Sequence, residues 1–346
     1  MPGEARTAPT PPARYARQRN LVILAGALAA LLCANLLTGP APIGFDALRH
    51  VVLNPGDHST TAIIVRQIRL PQALMALLTG AALGLSGAEM QTILDNPLAS
   101  PFTLGVSSAA ALGAALAIVL NLSVPWVPDP YIVAVNAFVF ALACTALLHL
   151  AARHARTGTA GIILLGIAMV FTFNALVSLV QFSASATALQ DLTFWMMGSL
   201  ARSDWPRLGV AALALCVIAP FSLRSAWALT ALRFGDERAA SFGVDTRRLR
   251  RAALVRTSLL AAVAVSLTGV IGFIGLTAPH IARRLWGEDH RWYLPASALT
   301  GSAILLAAAI VSRLGGGGVV IPIGIVTTLV GIPFFCVAVL RRRPEA

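Results

Sequence analysis

Residues 160–182, AGIILLGIAMVFTFNALVSLVQF, contain no Asp, Glu, Lys or Arg. A helix of about 20 apolar residues crosses the hydrocarbon core of a bilayer, so this stretch is long enough to span one unaided. Runs of the same kind recur along nearly the whole chain. They predict spans at 21–38, 71–92, 102–120, 131–150, 160–182, 206–224, 255–274, 293–312 and 322–340, with a short one near 278–287. The short segment cannot cross alone and has to pack inside the protein, where broken helices are tolerated. The expected fold is therefore an all-α polytopic membrane protein of about ten transmembrane helices. One membrane domain (21–340) lies between a Pro- and Arg-rich tail (1–20), expected to be disordered, and a short C-terminal tail (341–346).

Composition agrees. Of the 346 residues 57% are hydrophobic and 12% charged, against roughly 25% charged in soluble chains. Every basic residue is Arg, and there is no Lys. A phosphate-binding Walker A loop needs a Lys, so any ATP that drives this protein binds another subunit. The net charge of +12 does not indicate nucleic acid, because the arginines flank the predicted spans. With the N-terminus inside, only Arg49, Arg66, Arg69, Arg202, Arg207 and Arg313 fall outside, leaving about 20 of the 26 arginines on the cytoplasmic side. That asymmetry orients the protein with both termini cytoplasmic. Cys33, Cys144, Cys216 and Cys336 sit in apolar runs without paired spacing, which reads as buried small residues rather than a disulfide or zinc framework.

Several stretches carry more than span information. Gly80-x3-Gly84 and the series Gly269, Gly272, Gly275 let helices approach closely, and Gly315 to Gly318 reads as a flexible outer loop. In the cytoplasmic loop 225–256, Phe234-Gly235-Asp236-Glu237-Arg238-Ala239-Ala240-Ser241-Phe242-Gly243 is a short charged element between apolar runs. Gly235 breaks the chain, Asp236 is placed to cap a helix, and Glu237 suits the positive end of its dipole. Gly243 fits the stop, and Asp245 caps the next helix, whose Arg247, Arg248, Arg250 and Arg251 reach the headgroups. The run Asn96-Pro97-Leu98-Ala99-Ser100-Pro101 is a polar kink between spans two and three. Such backbone at membrane depth lines a cavity or is buried in protein.

Enzyme chemistry has little support. Neither HExxH nor GxSxG occurs, and no nucleophile and base converge. His280 has no Cys or carboxylate at ligand spacing, so it reads as a structural histidine near a helix end. No catalytic residue, metal ligand or bound cofactor is expected. The span cores hold almost no ionisable residues, which argues against an ion-coupled secondary transporter, the alternative of another class.

The pattern Glu237-x-Ala239-Ala240-x2-Gly243 resembles the coupling-helix motif of bacterial ABC importer permeases. Arg69-Leu70-Pro71, Gly80 to Gly87, Gln91 and Asn96 to Pro101 resemble the opening of the FecCD-type permeases. Phe273-x-Gly275-Leu276-x2-Pro279-His280-x2-Arg283, Gly287-x-Asp289-His290-Arg291, Pro322-x-Gly324 and Gly331-x-Pro333-Phe334 continue that resemblance in order, over roughly residues 60–340. It implies a permease subunit in the bacterial inner membrane that imports an iron–siderophore complex, or else haem or cobalamin, by alternating access. It implies two ATPase subunits carrying ATP-Mg, a periplasmic or lipid-anchored binding protein and a second permease. Gly235, Asp236, Glu237, Ala239, Ala240 and Gly243 would couple to the ATPase. Gln91, Asn96, Pro97, Leu98, Thr157, Gly158 and Thr159 would lie along the pathway or its cytoplasmic gate. Arg66, Arg69 and Arg313 are the candidates for docking the binding protein.

The resemblance departs from the family pattern at three positions. Gln72 stands where the family usually has Arg, Ala309 where it has Asp, and Val320 where it has Glu. Loss of the two acids predicts a less constrained Arg313 and fits one half of a heteromeric pair.

Overall fold

The computed structural model describes residues 13–122, 125–154, 158–315 and 319–340. Among these residues the regular structure is all helical, with no strand. Helix α1 (Ala13–Leu37) is followed by two short helices, α2 (Phe45–Leu53) and α3 (Thr60–Ile63), and then by α4 (Leu70–Ile93) and α5 (Val106–Leu120). Long helices α6 (Ile132–His154) and α7 (Gly158–Phe182) precede a short α8 (Ala186–Met196) and the long α9 (Trp205–Arg224). The loop region holds α10 (Ala226–Leu232) and α11 (Asp236–Ser241), and α12 (Thr246–Thr268), α13 (Ile274–Trp286), α14 (His290–Leu314) and α15 (Ile323–Leu340) complete the fold. Each predicted span falls on a helix. Seven helical stretches are long and apolar enough to cross a membrane by length and composition, and α5 and the apolar part of α15 are shorter.

The differences from expectation have local causes. Helix α1 begins at Ala13, so residues 13–20 of the expected tail are helical; the Trp286 indole donates to the Arg17 carbonyl at 3.0 Å and ties this turn down. Residues 1–12 and 341–346 lie outside the described residues. The second span starts at Thr60, because α3 runs into α4 through a π-helical turn, Ile64–Arg69. Pro71 has no N–H to give to the preceding turn, and a widened turn is one way a helix absorbs that loss. Helix α12 ends at Thr268, short of the expected 274, because Gly269 adopts φ +75°. With 13 residues, α13 is about 20 Å long, too short to cross a bilayer.

The irregular backbone around that break is enclosed by protein. Ser199 N–H donates to Thr268 O at 2.7 Å, and Ile323 and Gly324 N–H donate to Gly198 O and Met197 O at 3.2 and 3.0 Å. The interruption at 197–199 is thus hydrogen-bonded both to the end of α12 and to the start of α15, pairing polar groups that an apolar environment would leave costly.

Helix α4 is the axis of the core. It packs against α14, α12, α13 and α9 and is buried along most of its length. Small residues set the spacing: Gly80 faces the backbone of Gly301, Gly84 that of Ser297, and Gly87 that of Gly275. Van der Waals contact between closely approaching helices is a main source of cohesion in membranes, where burying apolar surface gains little. The Ser302 hydroxyl adds a donor to Leu77 O across the seam at 2.7 Å.

Fully buried Asn35 joins α1 to α14. Its amide donates to Leu306 O at 3.0 Å and to Leu31 O at 2.9 Å, and its oxygen accepts from Arg313 at 3.0 Å. Removing one partner strands the others at about 1–3 kcal/mol. Asn35→Ala is accordingly expected to lower the thermal midpoint of detergent-solubilised protein, while Thr38→Ala, losing one bond to the last turn of α1, lowers it less.

Candidate functional site

Residues 226–241 fold as two short helices, α10 and α11, with a break at Gly235 between them. Helix α10 ends with Arg233 as its C-cap, and Gly235 takes φ +95°, a conformation open to glycine, to redirect the chain into α11. Gly235 is itself the N-cap, and Asp236 is the first helical residue, so the expected capping role of Asp236 does not arise. Its carboxylate instead pairs with Arg250 of α12 at 2.6 Å, fixing the angle between the two helices. Gly243 stops α11 at φ +82°, and Asp245 caps α12 by accepting from Arg248 N–H at 2.9 Å.

The small-residue face of α11 divides. Ala239 is fully buried and its carbonyl accepts from Val244 N–H at 3.1 Å, whereas Ala240 is exposed beside exposed Glu237. Phe234 and Phe242 flank the helix, each more than half exposed. These two aromatics were not singled out from sequence, because an apolar residue in a loop gives no sign of whether it points inward. Phe234, Glu237, Ala240 and Phe242 are thus all exposed on or beside α11.

The kink at residues 95–105 is a tight, self-satisfied turn. Asn96 N–H donates to Gln91 O at 3.1 Å, and the Asn96 side chain accepts from Leu98 N–H at 2.9 Å. Ser100 and Thr103 exchange side-chain and backbone hydrogen bonds, with Ser100 N–H donating to Thr103 Oγ1 at 3.0 Å. Gly105, at φ +89°, starts α5. Asn96 and Pro97 are half-buried and Leu98 is exposed at this end of the bundle. Gln91 is buried rather than open to a pathway, and its amide bridges the Gly275 carbonyl at 3.4 Å and the Tyr293 hydroxyl at 3.5 Å. The expected loop 157–159 is only partly described: Thr157 lies outside the described residues, and Gly158 and Thr159 open α7. That helix passes the kink where Gly166 meets Leu104.

At the opposite end, all three docking candidates are engaged by carbonyls of their own chain. Arg66 donates to Val51 O, Asn54 O and Pro55 O at 2.7 Å and to Asp57 O at 3.0 Å. Nearby, the Ser59 amide and hydroxyl hold the Asp57 carboxyl below the usual carboxylate range. Buried Arg69 donates to Leu36 O at 2.7 Å and to Ala41 O. Arg313 donates to Asn35 O at 2.7 Å, to Thr38 O at 3.2 Å and to the Asn35 side chain. Arg313 is thus held firmly without the missing acids, contrary to expectation, because α1 supplies an amide and the carbonyls its last turn leaves unpaired.

The profile of the FecCD transport family fits residues 27–341. The chain belongs to the FecCD transport family. Members of this family are permease subunits of ABC importers: multi-pass membrane proteins that pair with ATPases and a second permease. The hemin transport permease of Yersinia pestis is 36% identical over 300 residues, covering 87% of this chain and 86% of that one. The vitamin B12 import permease of Klebsiella pneumoniae is 37% identical, covering 81% of this FecCD chain and 83% of its own length. A solved structure described as an inward-facing metal-chelate-type ABC transporter superposes with a TM-score of 0.83 at 30% identity, covering 94% of this chain and 99% of that one.

Proposed function

We propose that this FecCD permease imports a metal chelate, an iron–siderophore complex in the first instance, across the bacterial inner membrane. Two copies, or this chain and a second permease, would form the pathway between them. Two ATPase subunits carrying ATP-Mg would bind at α11, and an external binding protein would deliver the substrate. The observation that carries this reading is α11 itself: a short helix fixed to α12 by the Asp236–Arg250 pair, presenting Glu237 and Ala240 outward between two exposed Phe. ATP-driven approach of the ATPases would press on this rigid knob. Arg69 and Arg313, already bound by carbonyls, would hold the outer end in shape, and any docking charge they offer would come from the remaining face of each guanidinium. Haem and cobalamin are the second reading, favoured by the names of the Yersinia and Klebsiella relatives.

The test is uptake into proteoliposomes containing this chain, its ATPase and its binding protein, with ferrichrome, haemin and cyanocobalamin as probes. Glu237 is exposed, so Glu237→Arg leaves folding within about 0.5 kcal/mol of wild type. The expected result is ATP-dependent uptake of one probe that falls at least about tenfold in the variant, the equivalent of roughly 1.4 kcal/mol of lost coupling. Equal uptake in both proteins would remove Glu237 from the ATPase contact. Ferrichrome left outside while haemin or cyanocobalamin enters would replace the siderophore reading with the second one.

A further inference from the structure

One guanidinium joins three segments that are remote in sequence. Arg233 closes α10 immediately before the turn into α11. Its Nη2 and Nε reach the Glu288 carboxylate at 2.7 and 3.3 Å, and its Nη1 reaches Asp95 Oδ1 at 3.3 Å. Glu288, in the turn between α13 and α14, also faces Arg283 Nε at 3.5 Å. Asp95 directly precedes Asn96 and takes φ +47°, the left-handed conformation that Asp tolerates better than most residues. The cluster therefore links the start of the coupling segment, the kink at 96–98 and the α13–α14 turn.

A second set of contacts lies beneath it, made by neighbours of the same residues. Buried His290 places Nε2 2.7 Å from Thr92 Oγ1 of α4 and Nδ1 3.2 Å from Thr230 Oγ1 of α10, and its backbone N–H donates to Thr230 Oγ1 at 3.0 Å. Thr92 is in the last turn of α4 and Asp95 just past its end, Thr230 is on α10 one turn before its C-cap Arg233, and Glu288 and His290 share one turn. The same three segments thus meet twice, once in a buried layer without a full charge partner and once in an ionic layer open to water.

The two layers differ in strength, and the difference suggests their roles. Exposed ion pairs are worth about 0.2–1 kcal/mol each, and the Asp95 side chain is 81% exposed. Such contacts break and re-form at little cost, whereas breaking buried hydrogen bonds strands polar groups. A push on α11 would then turn α10 about the His290 contacts, and Arg233, anchored on α10, would re-form its pair with Asp95 at a new position and draw the adjoining Asn96 with it. We infer that Arg233 is a positioning residue that transmits movement of α11 to the Asn96–Leu98 turn through Asp95. The inference rests on the reading of α11 as the ATPase contact.

The test uses the full chain with its ATPase in nanodiscs, carrying Leu98→Cys as a reporter in a background where the four native cysteines are replaced by Ala. Maleimide labelling of the reporter is compared without nucleotide and with ATP plus vanadate, and ATP hydrolysis is measured alongside. The parent is expected to show a several-fold change in labelling rate. Asp95→Asn and Arg233→Gln are expected to hydrolyse ATP while the labelling change is lost, and Arg233→Lys to restore part of it. Asp95→Asn alters an exposed side chain, so its result stands even where Arg233→Gln lowers the yield. An unchanged nucleotide response in Asp95→Asn would overturn the inference and leave the ATPase contact standing. A parent that hydrolyses ATP without any change at Leu98 would likewise overturn the inference, whereas the reading of α11 as the ATPase contact stands or falls with the Glu237→Arg uptake.

Discussion

Replacing Gly87 by Val is expected to reduce folded protein more than any single surface substitution in this chain. A Cβ at Gly87 would fall on the Gly275 carbonyl and come within 2.8 Å of the Gly275 Cα, and these are backbone atoms of a buried helix that cannot rotate aside. Either α4 and α13 separate or one of them bends. Overpacking of a close-packed interior costs about 1–3 kcal/mol and sometimes more, and separating α4 from α13 would also strain the Gln91 bridge to Gly275. Gly275→Ala is the control on the other side of the contact: its Cβ would meet Leu83 O at 3.2 Å, which a small shift relieves. Gly26→Ala, with nothing within 4 Å, is expected to be neutral or to stabilise α1 by up to about 1 kcal/mol. The readout is the monodisperse fraction surviving a heating series in detergent. A Gly87→Val protein that melts with wild type would mean that α4 and α13 are not in contact in the membrane.

The seam illustrates what could be read from the chain alone and what could not. Gly80 and Gly84 announce a close helix approach, because small residues four apart form one face, but nothing local says that the partner is Gly301 and Ser297 more than 200 positions later. The spans were legible because the bilayer imposes a length and a composition on each. Asp245 and Gly243 were legible because helix ends have chemical requirements within a few residues. Helices α2, α8 and α10 were not, being too short for periodicity to stand out from the apolar runs around them. The outer arginines show the sharpest limit. A membrane-rim Arg offers the same sequence signal whether it faces a partner or caps its own chain, and only the position of the α1 carbonyls decides that Arg69 and Arg313 turn inward. Resemblance to a family drew attention to residues 235–243, the proposed ATPase contact, yet it could not say which face of α11 is free, since Ala239 and Ala240 are identical residues with opposite exposures.

The same limit hid the buried ion pair between Glu89 of α4 and Arg256 of α12, which are 167 positions apart and joined at 2.7 Å. Glu89 is fully enclosed, while the Arg256 side chain keeps 12% of its surface exposed. Removing one member of a buried pair typically costs about 3–5 kcal/mol, because the charge left behind has neither water nor partner. The two single removals are not equivalent here. Arg256→Leu abandons a carboxylate with no route to solvent, and the full penalty is expected. Glu89→Leu abandons a long, flexible cation that is not fully enclosed and can extend along α12 toward the cytoplasmic headgroups and recover hydration, so a smaller loss is expected. Replacing both with Leu removes the desolvated charges altogether and is expected to bring stability back to wild type or above it, as apolar replacements of buried pairs often do. Denaturation by SDS in mixed micelles, run on the two singles and the double, gives the pairwise coupling directly. Equal losses in the two singles would show that Arg256 is as trapped as Glu89. A double variant weaker than either single would show that this pair holds α4 and α12 together through more than its own two charges.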